Sequence, residues 1–230
     1  MIKAIGFDLG DTLIEYKDVP LSWQHLYISA LQEVAAACQF MPDDELLQSG
    51  CSTLAKYNTR INHREHEVTA ELIFSEILQS WDIQPHNLNS AINAYFTYFQ
   101  RKAIVYDDTI ATLELLKSKN IPIGILTDVP YGMPKEFVRN DIRQFEKYID
   151  ALVTSFEVEY RKPNTKGYEM LAKELRVKPE EMMYIGNEEK DILGANASGM
   201  TSIFINRKNS NADFKADYVV ADLRKIVEIA

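Results

Sequence analysis

The spacing of apolar residues along the first hundred positions changes from that of a buried strand to that of amphipathic helices. Ile5 and Phe7 lie in a short apolar run that breaks near Gly10, which predicts a strand with Asp8 at its carboxyl end. Apolar residues then recur at helical spacing through four stretches, each typical of a helix with one buried face. These stretches cover approximately residues 22–38, 43–55, 68–81 and 87–103. Helices that follow one another without a strand predict a helical module inserted after the first strand.

Strand and helix patterns alternate after Tyr106. Runs of β-branched and other apolar residues predict strands at 121–126, 151–154, 182–185, 202–205 and 218–220. Helical patterns lie between and after them, at about 110–116, 135–139, 168–175 and 223–229, and in a helix that follows GNEEKD (186–191) and ends at Gly199. Such alternation is typical of an α/β fold whose parallel sheet is covered on both faces. We therefore expect an α/β core formed by residues 1–15 and 105–230, and a helical module formed by residues 16–104.

The composition is that of an ordinary globular protein, and it argues against several classes of partner. Of 230 residues, 46% are hydrophobic and 26% are charged. The 34 acidic and 25 basic residues give a net charge of −9, which argues against nucleic acid or an anionic membrane surface as the main partner. No apolar run approaches the length of a membrane span, and the first residues have no secretory signal pattern. Cys38 and Cys51 lack a metal-binding spacing, so we expect reduced thiols and a cytoplasmic protein.

Polar side chains of complementary kinds lie at the predicted ends of core segments. They are Asp8 and Thr127 after predicted strands, Lys162 before a predicted helix, and Asn187 and Asp191 after a further strand. The carboxyl ends of parallel strands meet at one edge of the sheet, where α/β folds bind their ligands. Carboxylates suit a divalent cation, and a hydroxyl together with an ammonium group suits phosphoryl oxygens. The set therefore predicts a phosphate or metal site.

Four sequence motifs carry a resemblance to a known family. They are FDLGDTL at 7–13, ILTD at 125–128, YRKP at 160–163 and IGNEEKDILGA at 185–195. In this order and at these intervals they resemble the haloacid dehalogenase-like (HAD) superfamily, and especially its subgroup with a helical cap inserted after the first motif. The resemblance covers the whole chain. It implies a Rossmann-like core, the helical module as the cap, and hydrolysis of a small phosphorylated metabolite.

The resemblance implies a role for each matching residue. Asp8 matches the nucleophile that attacks phosphorus and becomes an aspartyl phosphate, which divides hydrolysis into two easier steps. Thr127, followed by Asp128, matches the phosphate-binding position, and Lys162 matches the lysine that neutralises nucleophile and phosphate. The implied cofactor is Mg²⁺. Its implied ligands are Asp8, the Gly10 carbonyl, Asn187 and Asp191.

Two positions depart from the family pattern. Most phosphatases of the superfamily have a second aspartate two residues after the nucleophile, where it protonates the leaving oxygen and later activates water, and here that position is Gly10. Its absence predicts slow turnover on alkyl phosphates, because such help is worth about 10²–10⁴ in rate. Asp11 is the adjacent candidate for this acid and base. The second departure is Asn187 in place of the usual aspartate, which should weaken metal binding unless Glu188 compensates.

The sequence leaves three hypotheses about activity open. The first is a Mg²⁺-dependent phosphatase. The second is a carbon-halogen hydrolase, since dehalogenases of the family also lack the second aspartate. Those enzymes typically have an aromatic residue where Gly10 stands and an arginine early in the cap, and neither feature is obvious here. The third is a non-catalytic protein that keeps the fold and binds a phosphorylated ligand or a protein partner.

No motif identifies the residues of the cap that select a substrate. The segment 57–66 is a small basic island in an acidic chain, and Arg60, His63 and Arg64 are its candidates for contact with an anionic substrate. His63 and His66 lack a third metal ligand, so a solvated helix start is the simpler interpretation of this pair. The sequence leaves the identity of the substrate open, and also the choice between monomer and homodimer.

Overall fold

The computed structural model describes residues 1–19 and 22–229 and divides into two compact units. The core unit consists of Met1–Glu15, Ile104–Asp128 and the described chain from Ile142 onward. The helical unit consists of the described residues of Tyr16–Ala103 together with Val129–Asp141. The division expected from sequence assigns residues 129–141 to the core, whereas in the structure this segment packs with the helices.

The core unit contains a parallel sheet. The strands in chain order are β1 (Ala4–Phe7), β2 (Ile14–Tyr16), β3 (Ala103–Val105), β4 (Ile123–Thr127), β5 (Ala151–Thr154), β6 (Met182–Gly186), β7 (Thr201–Ile205) and β8 (Tyr218–Val220). Within the described chain, six of them form one sheet in the order β5-β4-β1-β6-β7-β8, and every neighbouring pair is parallel. β2 pairs with β3 in a separate sheet. The predicted parallel α/β core is confirmed, while the sequence pattern misses β2 and β3, which have three residues each.

The helices match most of the predicted ones. In chain order they are α1 (Tyr27–Ala37), α2 (Asp44–Tyr57), α3 (Ala70–Ser80), α4 (Leu88–Gln100), α5 (Thr109–Ser118), α6 (Lys135–Ile142), α7 (Ser155–Val158), α8 (Thr165–Glu174), α9 (Glu189–Ala197) and α10 (Ile226–Ile229). Helices α1 to α4 correspond to the four predicted amphipathic stretches. The predicted end of the last stretch at Ala103 is wrong, because this residue begins β3. The pattern also misses α7, whose four residues do not complete a helical period.

Glycines in two neighbouring strands let a helix pack closely onto the sheet. Gly6 of β1 and Gly124 of β4 are partners in the ladder. A Cβ atom at Gly124 would lie 2.6 Å from one methyl carbon of Leu171, and a Cβ at Gly6 would lie 2.8 Å from the other. Leu171 of α8 therefore fills the space above both glycines, and it is fully buried. This packing covers β1, all of whose residues are buried, and so fixes the position of Asp8, which follows it.

Aromatic side chains fill the interior of the helical unit. Trp23 and Phe99 stack with their ring centroids 3.9 Å apart. The ring of Tyr131, which belongs to the segment Val129–Asp141, lies 5.9 Å from that of Trp23. The Tyr131 and Tyr27 hydroxyls also share a hydrogen bond of 2.5 Å. These contacts explain why the segment belongs to the helical unit although it follows β4 in the chain.

Side-chain caps fix the starts of α2 and α3. Asp43 accepts a hydrogen bond from the Leu46 backbone N–H at 2.9 Å, and Thr69 accepts one from the Leu72 backbone N–H at 3.0 Å. The cap at Asp43 confirms the predicted start of the second helix. Leu72 of α3 is 47% exposed, so not every apolar residue of the third predicted stretch lies on its buried face.

The cysteines and the helix lengths bear on two further expectations. Cys38 is buried, Cys51 is half-buried, and both are free thiols, as predicted. Within residues 1–19 and 22–229, no helix combines the length and the apolar character needed to cross a membrane.

Candidate active site

Asp8 lies at the carboxyl edge of the sheet, directly after the central strand β1. Its backbone N–H donates to the Ile185 carbonyl at 2.8 Å, which continues the ladder with β6. Thr127 is the last residue of the adjacent strand β4, and both side chains are buried. The structure thus brings these two predicted site residues to the same edge of the sheet, where α/β folds bind their ligands.

The Lys162 ammonium group joins two buried carboxylates. Its Nζ atom lies 2.5 Å from Asp8 Oδ1 and 2.6 Å from Asp191 Oδ1. It also donates to the Tyr184 hydroxyl at 3.4 Å. The three charged side chains come from three separated motifs, and each is almost completely buried. The structure therefore brings together the predicted nucleophile, the predicted neutralising lysine and the acid of the fourth motif.

Burial and the opposite charge of the neighbouring group shift the pKa values of Asp8 and Lys162 in opposite directions. Burial raises the pKa of the Asp8 carboxyl, the Lys162 ammonium counteracts this rise, and the Asp191 carboxylate adds to it. Burial by itself would lower the pKa of Lys162, but Asp191 and Asp8 hold it well above its usual value. When all three are ionised, the group has one net negative charge in a desolvated place, which favours the binding of a further cation.

The backbone around Asp191 holds its carboxylate in place. Asp191 Oδ2 accepts hydrogen bonds from the backbone N–H groups of Asn187 and Glu188, at 3.1 and 3.0 Å. Gly186 permits this close approach, because a Cβ there would lie 2.2 Å from the Asp191 Cβ. Asp191 Oδ1 is paired with Lys162, so both oxygens have partners. These contacts orient Lys162, and the metal-ligand role of Asp191 stays a prediction.

The Asp8 carboxylate, the Gly10 carbonyl and the Asn187 side-chain amide lie close together on the Oδ2 side of Asp8. In one orientation of the Asn187 amide, its nitrogen donates to Asp8 Oδ2 at 3.2 Å and to the Gly10 carbonyl at 3.1 Å. In the other orientation the amide oxygen takes that position, and the Thr12 hydroxyl donates to it at 3.3 Å. Adjacent ligands of an octahedral Mg²⁺ ion lie about 3 Å apart, because each is about 2.1 Å from the ion. The carboxylate, carbonyl and amide groups therefore fit Mg²⁺.

Few carboxylates are available to a cation at this place. Among the residues that the structure describes, no cluster of three or more His, Cys, Asp or Glu side chains could hold a metal. Glu188, the candidate to compensate for Asn187, instead lies 3.2 Å from the Lys190 ammonium. An ion beside Asp8 would therefore depend on neutral oxygens and water for most of its ligands, as Mg²⁺ often does.

The Asp128 carboxylate lies among cations. Its Oδ1 accepts from the Lys162 backbone N–H at 3.0 Å, and its Oδ2 lies 2.8 Å from Lys190 Nζ and 3.7 Å from the Arg161 guanidinium. Burial opposes ionisation, but Lys190, Arg161 and Lys162 together hold the pKa of Asp128 well below its usual value. Its carboxylate thus anchors the loop that presents Lys162. Phosphate binding by Asp128 stays a prediction, and it would use the backbone of this residue.

The turn after Asp8 places Asp11 and Thr12 in different surroundings. Asp11 has a left-handed backbone, with φ of 55°, and its carboxylate pairs with Lys208 Nζ at 2.9 Å. The Thr12 hydroxyl instead donates to Asp8 Oδ2 at 3.4 Å. The Arg207 guanidinium donates twice to the Thr12 carbonyl, at 2.7 and 3.2 Å, and so fixes the turn. Asp11 therefore lies in the turn that follows Asp8, but its carboxylate is paired with Lys208.

The candidates for substrate recognition lie in the helical unit, between α2 and α3. Arg60 and His63 are exposed. Arg64 is half-buried, donates to the His66 carbonyl at 3.1 Å and lies 3.5 Å from Glu67. These contacts show that Arg64 stabilises its own loop. Substrate recognition by Arg60, His63 and Arg64 stays a prediction.

Three residues at the site are missed by the sequence analysis. Thr12 lies within the first motif, so its place one turn beyond Asp8 is a usable signal. Arg207 follows β7, which ends at the same edge of the sheet, and a cation after a further strand could have been included on that ground. Tyr184 donates to the Leu126 carbonyl at 2.8 Å from within β6, and nothing in the pattern separates it from an ordinary buried strand residue.

Comparison with known proteins identifies the class to which this fold and site belong. The family model of the haloacid dehalogenase-like hydrolases matches residues 2–199, and the chain belongs to this family of hydrolases. The chain is similar to the glyceraldehyde 3-phosphate phosphatase of Methanopyrus kandleri, with 28% identity over 241 aligned positions that cover 100% of this chain and 97% of the relative. The family predicted from the four motifs is therefore confirmed.

Two solved structures share the fold. The HAD phosphatase from Thermococcus onnurineus has a TM-score of 0.68 and 22% identity, with 99% of this chain and 97% of that one covered. The 2-haloacid dehalogenase from Pseudomonas syringae pv. Tomato DC3000 has a TM-score of 0.69 and 18% identity, with 100% and 98% covered. At these identities the likeness shows the fold alone. It confirms the predicted Rossmann-like class without choosing between phosphate and halide chemistry.

Proposed function

We propose that this protein is a phosphatase that transfers the phosphoryl group of a small phosphorylated metabolite to Asp8 and then to water. The observation that carries the proposal is the Lys162 ammonium, held 2.5 Å from Asp8 and 2.6 Å from Asp191 at the carboxyl edge of the sheet. A buried carboxylate fixed in this way is a nucleophile with a defined direction of attack. The name of the Methanopyrus kandleri relative, a sugar-phosphate phosphatase, supports the same chemistry.

Each nearby group has a part in the proposed transfer. One oxygen of Asp8 attacks phosphorus and forms an aspartyl phosphate, which water then hydrolyses. Lys162 offsets the negative charge that the phosphoryl group brings into the site. The Thr127 hydroxyl binds a phosphoryl oxygen, and the Asp128 backbone N–H is the adjacent donor. Asp191 keeps Lys162 in place through the whole cycle.

We propose Mg²⁺ as the cofactor of this reaction. The residues that would hold it are Asp8, Gly10 through its carbonyl, and Asn187, with Asp191 acting directly or through water. Mg²⁺ held by these residues would supply positive charge that offsets the negative charge of the phosphoryl group. Asn187 contributes an oxygen without a charge, so the affinity for the ion should be low compared with a site that has an aspartate at this position.

The helical unit is proposed as the cap that selects the substrate. Arg60 and His63 are exposed on the loop between α2 and α3, and an arginine there suits the anionic part of a small metabolite. Arg64 would act by holding this loop in shape. The net charge of −9 makes a polyanion such as nucleic acid an unfavourable partner.

The proposal is tested by phosphate release from para-nitrophenyl phosphate. Wild-type protein is assayed with Mg²⁺ and with a chelator, beside the variant Asp8→Asn. We expect release that requires Mg²⁺ and falls to background in Asp8→Asn, because the amide cannot act as the nucleophile. Asp43→Asn is the matched control, since asparagine caps a helix as well as aspartate does and Asp43 belongs to α2. Its activity should equal that of the wild type.

This assay, together with three further measurements, separates the alternative functions. Activity that survives in Asp8→Asn would remove the covalent mechanism. Halide release from 2-chloropropionate without added metal would favour a carbon-halogen hydrolase. If a broad panel of phosphates gives no release and calorimetry detects no Mg²⁺ binding, the protein is a non-catalytic member of the family. Thermal unfolding of Asp8→Asn establishes that its loss of activity is not a loss of folding.

A further inference from the structure

We infer that the preferred substrates are phosphoryl donors whose leaving oxygen departs without a proton, above all acyl phosphates, rather than phosphates of alcohols. This inference rests on the proposed function and deepens it, because it defines the substrate class of the same site. Its basis is the set of groups around Asp8. Glyceraldehyde 3-phosphate, the compound in the name of the Methanopyrus kandleri relative, is a phosphate of an alcohol, so the inference separates this chain from that relative.

The side chains in polar contact with Asp8 are poor proton donors. In the described part of the core unit they are Lys162 on Oδ1, and Thr12 and Asn187 on Oδ2. A hydroxyl and an amide are far too weakly acidic to give a proton to a leaving group near neutral pH. Lys162 is held between two carboxylates, at 2.5 and 2.6 Å, and acts as a counter-charge to both.

Gly10 stands where the family resemblance implies a general acid, and there is open space around it. A Cβ atom at Gly10 would have no atom within 4 Å, and the backbone of this residue does not have the positive φ that glycine alone adopts easily. The Gly10 carbonyl lies 3.1 Å from the Asn187 amide, so the residue borders the site. The next acid along the chain, Asp11, is paired with Lys208 at 2.9 Å. In the described part of the core unit, position 10 therefore has open space where a side chain would begin, and the glycine there carries no acid.

The proposed reaction balances without a proton donor. In the first step an Asp8 oxygen bonds to phosphorus, the bond from phosphorus to the leaving oxygen breaks, and the leaving group keeps the electron pair as a carboxylate. In the second step a water oxygen bonds to phosphorus, the bond to Asp8 breaks, and the protons of water stay on the released phosphate. An alkoxide is a far stronger base than a carboxylate, so an alcohol would need a proton that these side chains do not provide.

The test measures how activity depends on the leaving group. The value of kcat/KM is determined with Mg²⁺ for acetyl phosphate, for ethyl phosphate of the same size, and for aryl phosphates of graded phenol acidity. We expect kcat/KM for ethyl phosphate to be about 10²–10⁴-fold lower than for acetyl phosphate. Along the aryl series, kcat/KM should fall steeply as the phenol becomes less acidic. Gly10→Asp should flatten this dependence and raise the activity on ethyl phosphate. Gly10→Asn has the same size without an acid and should keep the steep dependence.

Each other outcome has a defined meaning. Equal kcat/KM of the wild type for ethyl and acetyl phosphate would overturn the inference, since a proton donor would then be present. A weak dependence of kcat/KM on phenol acidity, here called a shallow series, would overturn it for the same reason. If Asp11→Asn makes a shallow series steep, that donor is Asp11. Phosphate release from none of these compounds would instead overturn the proposed function. The wild-type series decides the matter even if Gly10→Asp fails to fold.

Discussion

Asp8, Lys162 and Asp191 stabilise one another at the centre of the proposed site. A single buried charge without a partner costs several kcal/mol, whereas here one ammonium group serves two carboxylates. The motifs predicted that these three residues meet, because each follows or precedes an element that ends at the same edge of the sheet. The individual pairings could not be predicted, since they depend on the turn at Gly186 that brings Asp191 against the backbone.

Asp141 of the helical unit gives a prediction about stability and pH. Burial raises the pKa of its carboxyl to about 6 from 3.8, although Tyr16 and Gln100 donate hydrogen bonds to it. The folded protein therefore binds this proton more tightly than the unfolded chain does. Its free energy of unfolding should fall as the pH rises between these two values, and the cost should persist at neutral pH. Asp141→Asn removes the charge and should be more stable than the wild type there, by at most about 3 kcal/mol.

Urea unfolding of the wild type and Asp141→Asn measures this difference. The gain should be present near pH 7 and should disappear well below pH 3.8, where the aspartic acid is protonated in both the folded and the unfolded state. Equal stability of the two proteins near pH 7 would show that the hydrogen bonds from Tyr16 and Gln100 offset the whole cost of burying the charge.

The segment Val129–Asp141 shows what local patterns can and cannot predict about elements. Its helical part is predicted, and α6 is present. The apolar pattern does not show whether the segment packs in the core unit or in the helical unit, because Tyr131 could be buried in either. The choice depends on the backbone, since Tyr131 and Gly132 both have left-handed conformations, with φ of 52° and 66°. This turn directs the segment to the start of α3.

Gly132 provides a test of that packing. A Cβ at this residue would lie 2.2 Å from the Val68 carbonyl oxygen and 2.5 Å from the Ala70 backbone nitrogen. Gly132→Ala therefore adds a clash with backbone to the strain of a positive φ, and we expect a loss of roughly 2–4 kcal/mol in the free energy of unfolding. Chemical denaturation measures this loss.

Gly199 is the matched control for this substitution. It also has a positive φ, of 78°, but a Cβ there would have no atom within 4 Å. Gly199→Ala should cost only the strain of the backbone, about 1 kcal/mol. Equal losses for the two variants would show that the contact with residues 68 to 70 is not what requires glycine at position 132.

The fold of the whole molecule follows from the sequence to a considerable degree. The alternation of strand and helix predicted a parallel α/β core, and the uninterrupted helical stretches predicted the second group of helices. The order β5-β4-β1-β6-β7-β8 could not be derived, because periodicity identifies strands without identifying their neighbours. The missing acid at Gly10 is visible in the sequence, but the open space around it is visible only in the structure.

The most direct measurement is a chemical trap for the phosphorylated form of Asp8. The protein is incubated with acetyl phosphate and Mg²⁺, quenched in acid and treated with borohydride, which converts an aspartyl phosphate to homoserine. Peptide mass spectrometry should then find homoserine at position 8, and only when both the phosphoryl donor and Mg²⁺ are present. An unmodified Asp8 under conditions in which the protein releases phosphate, or homoserine at another aspartate, would contradict the role proposed for this residue.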